Sequence, residues 1–203
     1  MRHMLAGAVL AMSLGACAAR EARDGWNDSL KVELLDRLVQ DQRVRDRFIA
    51  VIQAGDTPDS ALIAEFAATD SSNTAWLSEM VERHGWPDRD VIGEEGAKAA
   101  FLLVQHADQD TAFQVRMLDS VRASFERGQA DGQSVALLTD RILVARGDSQ
   151  RYGTQARMED GRTIFNPIED SSNVDARRKE MGLVPLADYR RVLDSVYLGK
   201  RVP

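Results

Sequence analysis

Cysteine is nearly absent: Cys17 stands alone in 203 residues, so no disulfide can close within the chain. Five prolines and fourteen glycines exclude collagen-like and low-complexity architectures. Positive charge is in deficit, with 26 Lys and Arg against 32 Asp and Glu and a net charge of −6. A nucleic-acid binder needs a basic face, and this balance argues against one. The longest apolar run falls well short of the roughly 20 residues that a helix needs to cross a bilayer. Histidines number three, and no HExxH helix, P-loop, dinucleotide glycine fingerprint or GxSxG elbow occurs. The reading therefore calls for no metal and no cofactor. No internal repeat is present, which argues against a solenoid. What remains is a chain with 44% hydrophobic and 29% charged residues, the composition of a globular protein. Its length predicts one domain that buries roughly two-thirds of its unfolded surface.

Residues 1–17 read as an address. Arg2 gives a positive start, Leu5 to Ala16 is an apolar run, and Leu14-Gly15-Ala16-Cys17 closes it. Such a run suits a secretory signal. The closing residues resemble the lipobox of bacterial lipoproteins, in which the cysteine is lipidated and becomes the new N-terminus. The expected organisation is a signal peptide over 1–16, a lipidated Cys17 with a polar tether to residue 28, and a helical domain over 29–203. The alternatives are an ordinary cleaved signal with an incidental cysteine, or an internal cysteine of a cytosolic protein. Acyl chains on Cys17 would contribute about 0.8 kcal/mol per buried methylene to membrane binding. An acidic body does not adhere to anionic lipid unaided, so the anchor must hold it there. Ala18 follows the cysteine where an aspartate would resemble an inner-membrane retention signal. The expected location is thus the outer membrane, facing the periplasm.

Beyond the tether the pattern is helix after helix, a mainly α bundle. Ser29 caps a predicted amphipathic helix to about Ala54. Thr57-Pro58 opens a short one to about Ala67, and Asp70 to His84 is another, closed by Gly85. From Glu94 to about Asp108 and from Ser134 to Arg146 almost no polar face remains, which predicts two buried central helices sheathed by amphipathic ones. Thr111 to Arg127 is one of the sheathing helices. Asp160-Gly161 between QARME and RTIFNP predicts a small β-hairpin. Val174 to Met181 and Leu186 to Leu198 return to helix.

The chemical clue lies in polar residues on apolar helices. His106 projects among Ala99, Leu102 and Leu103, and Asp140 and Arg141 lie among Ala136, Leu137, Val144 and Ala145. Charges in such places need partners. The stretch 147–155 offers them, with Gln150, Tyr152, Thr154 and Gln155 as hydrogen-bonding groups. One reading is a pocket in which His106 is an acid or base oriented by Asp140, while Arg141, Gln150, Tyr152 and Gln155 bind a ligand. The competing reading is a structural network that pins this loop to the bundle, with His106 a satisfied core histidine. His84 suits a surface cap at a helix C-terminus. Trp86 suits core packing or a pocket wall, and Asp41, Arg45 and Arg47 suit a solvated ion-paired face. Asp108 and Asp110, close after His106, read as solvated.

Taken together, Gly85-Trp86-Pro87, Val104-Gln105-His106-Ala107-Asp108, Asp140-Arg141 and Gln150-Arg151-Tyr152-Gly153-Thr154-Gln155 carry a resemblance. With Asp41-Gln42 and Arg45 upstream, Arg177-Arg178 with Gly182-Leu183, and Leu186 to Tyr189 at the end, the chain resembles the bacterial family catalogued as domain of unknown function 6624. The likeness spans roughly residues 30–190. It implies that these motifs belong to one domain and implies no particular activity. The expected function is a membrane-anchored envelope protein that binds a small anionic or peptide-like ligand. The alternatives are a hydrolase or transferase acting through His106, or a purely structural envelope protein. Expected partners are the membrane through Cys17 and a small ligand or an envelope protein, with no nucleic acid.

Overall fold

The computed structural model describes residues 25–159 and 162–198. The expected leader and lipobox, and the Asp160-Gly161 turn, lie outside these residues. The described chain is mainly helical, with α1 Asp28–Gln53, α2 Ser60–His84, α3 Arg89–Gln105, α4 Thr111–Glu126 and α5 Gly132–Ala145. Strands β1 (Ala156–Glu159) and β2 (Arg162–Phe165) follow, then a 3-10 turn at Ser171–Asn173, α6 Val174–Glu180 and α7 Leu186–Leu198. By contacts the chain divides after Leu103 into two compact units.

In the first unit α1 and α2 form an antiparallel pair. Asn27 caps α1 by accepting from the Leu30 amide at 3.0 Å, two residues earlier than the expected Ser29. Asp59 does the same for α2 through Leu62 at 2.8 Å. Two helices were expected between Thr57 and His84, and one is found. No Gly or Pro interrupts 60–84, and Asp70 does not cap a new helix but faces Arg45 of α1. Leu34 of α1 and Leu77 of α2 are completely buried. Truncating either to alanine would cost about 2–5 kcal/mol. Ile49 and Ile52, toward the end of α1, are about half exposed. At the far end Trp26 packs edge-on against Trp76 and His84, each at 6.2 Å between centroids, and donates from Nε1 to the Gly85 carbonyl at 3.0 Å. His84 is thus half-buried against Trp26 rather than a solvated cap. Trp86 is half-buried in the turn before Pro87. Within α3, Gly93 departs from helical geometry at φ 78°, and the following segment buries Ala99, Ala100 and Leu103.

In the second unit α4 and α5 pack together. Their N-termini are capped by Asp110 on the Phe113 amide and by Asp131 on the Ser134 amide, at 2.8 and 2.7 Å. Phe113, Val121, Ala136, Leu138 and Ile142 form the core. Gly132 opens α5 where a Cβ would stand 2.3 Å from the Met181 carbonyl oxygen, so no larger residue fits. The hairpin is antiparallel as expected, with Ala156 opposite Phe165 and Glu159 opposite Arg162. Helix α7 lies on β2: Phe165 stacks on Tyr189 at 6.2 Å, and the Thr163 hydroxyl donates to Asp194. The predicted buried helix over 94–108 ends at Gln105, because Gln114 of α4 caps its last carbonyls. The Gln114 side-chain amide donates to Val104 and Gln105 at 3.3 and 3.2 Å. His106 therefore opens a turn instead of sitting inside a helix.

Candidate functional site

Asp140 is completely buried on α5. A bare carboxylate there would be untenable, and the loop that follows α5 folds back to solvate it. The amides of Arg151 (2.7 Å) and Tyr152 (3.0 Å) donate to Oδ1. The amide and hydroxyl of Thr154 donate to Oδ2 at 2.9 and 3.0 Å. Three amides of one loop around one carboxylate form an anion nest whose anion is supplied by the protein itself. Gly153 makes the bend, with φ 69°, and a Cβ there would come within 2.8 Å of Leu186 Cδ1.

Gln150 is also fully buried and fully satisfied. Its amide nitrogen donates to the carbonyls of Gln155 (2.9 Å) and Asn166 (2.8 Å), and its oxygen accepts from the Gln155 amide at 2.8 Å. It bridges the loop to the strand end rather than offering a free contact. Gln155 directs its side-chain nitrogen to Thr154 Oγ1 at 3.1 Å and toward the Leu137 carbonyl at 3.5 Å. Tyr152 is held by its backbone: its amide goes to Asp140, and its carbonyl accepts from Arg178 at 2.7 Å.

Arg178 is the largest side chain among those with almost no exposure. Its Nε donates to Val184 at 2.7 Å, and its guanidinium lies 4.9 Å from the Tyr189 ring centre. Burial pushes its pKa below the ordinary arginine value, and nearby Tyr189, Asp175 and Asp140 counter that shift. Its neighbour Arg177 donates to the carbonyls of Arg151 (2.8 Å) and Asp170 (3.1 Å). Two adjacent arginines therefore hold loop carbonyls while Asp140 holds loop amides. Sequence reasoning noticed the Arg-Arg pair and gave it no role. The missed signal was a loop rich in backbone acceptors with no nominated cation.

Arg141 points elsewhere. Its Nε and Nη2 make a bidentate pair with Asp108 Oδ1 and Oδ2 at 2.6 and 2.7 Å, with the arginine side chain 25% exposed and the aspartate 51%. The expectation of a deeply embedded cation is corrected: Arg141 is part-buried, and its guanidinium pairs with a half-exposed carboxylate. Gln114 reaches the same carboxylate at 3.4 Å. His106 is half-buried two residues before Asp108, and its carbonyl accepts the Asp108 amide at 2.8 Å. The structure thus brings Asp140, Gln150, Tyr152 and Gln155 into one loop network. It places Arg141 of α5 in a separate pair with Asp108, on the turn that carries His106. Both oxygens of Asp140 are engaged by the loop, and the carboxylate in the turn of His106 is Asp108.

In the first unit, Asp41, Arg45 and Asp70 form a buried triad. Arg45 Nε meets Asp41 at 3.1 Å, its Nη2 meets Asp70 at 2.5 Å, and its guanidinium lies 4.5 Å from the Phe66 ring centre. Asp41 and Asp70 are 1% and 5% exposed, which corrects the expected solvated face. Arg47 alone keeps that description, in an exposed pair with Glu65. The i, i+4 spacing of Asp41 and Arg45 is legible in sequence; the third member on α2 is not. Among the described residues no group of three or more His, Cys, Asp or Glu is placed to hold a metal ion. No described helix is long and apolar enough to cross a membrane.

The fold and these motifs find their counterpart in one family model, the family of unknown function DUF6624, which matches residues 28–202. The chain belongs to that family. No curated protein and no solved structure shows significant similarity to it.

Proposed function

We propose that this protein is an envelope lipoprotein, anchored through Cys17 in the outer membrane and facing the periplasm, that binds a small anionic or peptide-like ligand at Arg141. The observation that carries the binding site is the bidentate, partly exposed pair of Arg141 with Asp108. A planar guanidinium fork matched to a carboxylate is the geometry that recognises carboxylates and phosphates, and here its present occupant sits at the surface where a competitor can reach it. His106, half-buried, lies on the same turn as Asp108, two residues before it. The anchor rests on the sequence Leu14-Gly15-Ala16-Cys17 behind an apolar run.

Two measurements test the reading. Inorganic phosphate and acetate, titrated separately into the labelled full-length chain, should move the Arg141 Nε–H resonance saturably. Arg141→Gln should abolish the response of neighbouring amides, and an unmoved resonance refutes the site. Palmitate labelling in a bacterial host should be lost in Cys17→Ser, and labelling that persists refutes the anchor.

A further inference from the structure

Among the described residues, one buried side-chain polar atom lacks a hydrogen-bond partner: the amide nitrogen of Asn73, a residue only 5% exposed. Buried donors are almost always paired, so an orphan marks a place where something is missing. Asn73 lines a groove of about 460 Å³ that runs between α1 and α2 in the first unit. Three carboxylates, Glu33, Asp36 and Glu65, line the same groove; Glu33 is paired with Arg37 and Glu65 with Arg47, which leaves the charge of Asp36 in excess. The Arg37 guanidinium is committed mainly to Glu33, at 2.9 and 3.1 Å, and lies 4.7 Å from the Trp76 ring centre. Its contacts to Ser72 and to the Asn73 oxygen are both 3.4 Å, at the long edge of hydrogen bonding. A ligand that displaces Arg37 from Asn73 and Ser72 gives up only these two long contacts.

We propose that this groove is a second binding site, for a short peptide with a free amino terminus. The Asn73 nitrogen is a donor and calls for a carbonyl oxygen. The excess carboxylate, Asp36, calls for an ammonium group and disfavours an anion, which sets this site apart from Arg141. A peptide terminus carries both groups a few ångströms apart. The groove volume lies within the range of small-molecule sites and suits a ligand of two or three residues.

The probe is trialanine amide, compared with its N-acetylated form, each titrated into the isotope-labelled full-length chain. The free-amine peptide should shift the Asn73 side-chain NH₂ resonances, and acetylation should weaken binding about tenfold through loss of the charge. Asp36→Asn, at an exposed position where the fold does not depend on it, should narrow that difference. Asn73→Asp should remove binding; should that variant fail to fold, Asp36→Asn carries the test. Three results overturn the proposal: no movement of the Asn73 resonances up to about 10 mM peptide, equal binding of the two peptides, or an Asp36→Asn response identical to the parent.

Discussion

Asp140 and Arg178 grip a single loop by opposite backbone groups. The carboxylate collects the amides of Arg151, Tyr152 and Thr154, and the guanidinium collects the carbonyl of Tyr152 from the other side. Neither side chain reaches solvent to any extent, at 0% and 1% exposure. A buried charge is tolerated when its remaining valences are met by well-placed hydrogen bonds, and here the backbone of one loop meets both charges. The Gln-Arg-Tyr-Gly-Thr-Gln segment is thereby held by two buried charges through its own backbone.

Asp140 and Arg141, adjacent in sequence, should respond very differently to truncation. Asp140→Ala strands three amides and a hydroxyl in the interior and should cost about 3–5 kcal/mol in urea denaturation. Arg141→Ala removes a rim pair and should cost no more than about 1 kcal/mol. Equal losses would mean that the Arg141–Asp108 pair belongs to the same structural network.

Arg45→Met should destabilise the first unit by about 3–5 kcal/mol, because it removes the cation that lies between two buried carboxylates. The loss should shrink in the triple variant Asp41→Asn, Arg45→Met, Asp70→Asn, in which no buried charge is left behind. A double- and triple-mutant denaturation series measures the coupling. Additive losses would refute the triad as a unit.

Asp170 sets a pH dependence. Hydrogen bonds from the Asn173 and Ser172 side chains hold its carboxyl below the ordinary value of 3.8, with Arg177 assisting. The folded pKa is depressed, so the contribution is fully present above the unfolded value and is lost as pH falls through the folded one. Carbon-13 titration of the Asp170 carboxyl should show its midpoint below that of the same residue in a peptide spanning 168–175. Asn173→Ala should move that midpoint upward, and coincident midpoints in protein and peptide would refute the turn's role.

Much of the scaffold was legible because its signals are local. Helix ends at Gly85, Gly128 and Gly182, the hairpin between residues 156 and 165, and the helices over 111–126 and 186–198 follow from capping, turn and periodic patterns within a few residues. Asp70 misled because aspartate is also a good cap, and only the presence of Arg45 on the facing helix explains why it sits mid-helix. The early end of α3 was equally hidden, since Gln114, nine residues past its last turn, supplies the cap.

The helical class, the hairpin, the family motifs and the polar groups on apolar helices are all written in local sequence. Each depends on spacing along a few turns of chain. Which donor meets which acceptor is settled by packing between distant parts of the chain. Successive side chains on a helix diverge by about 100°, so Asp140 and Arg141 necessarily face different neighbours. Which neighbours those are depends on where residues 151–154 and 108 arrive, and the packing of the whole second unit fixes that.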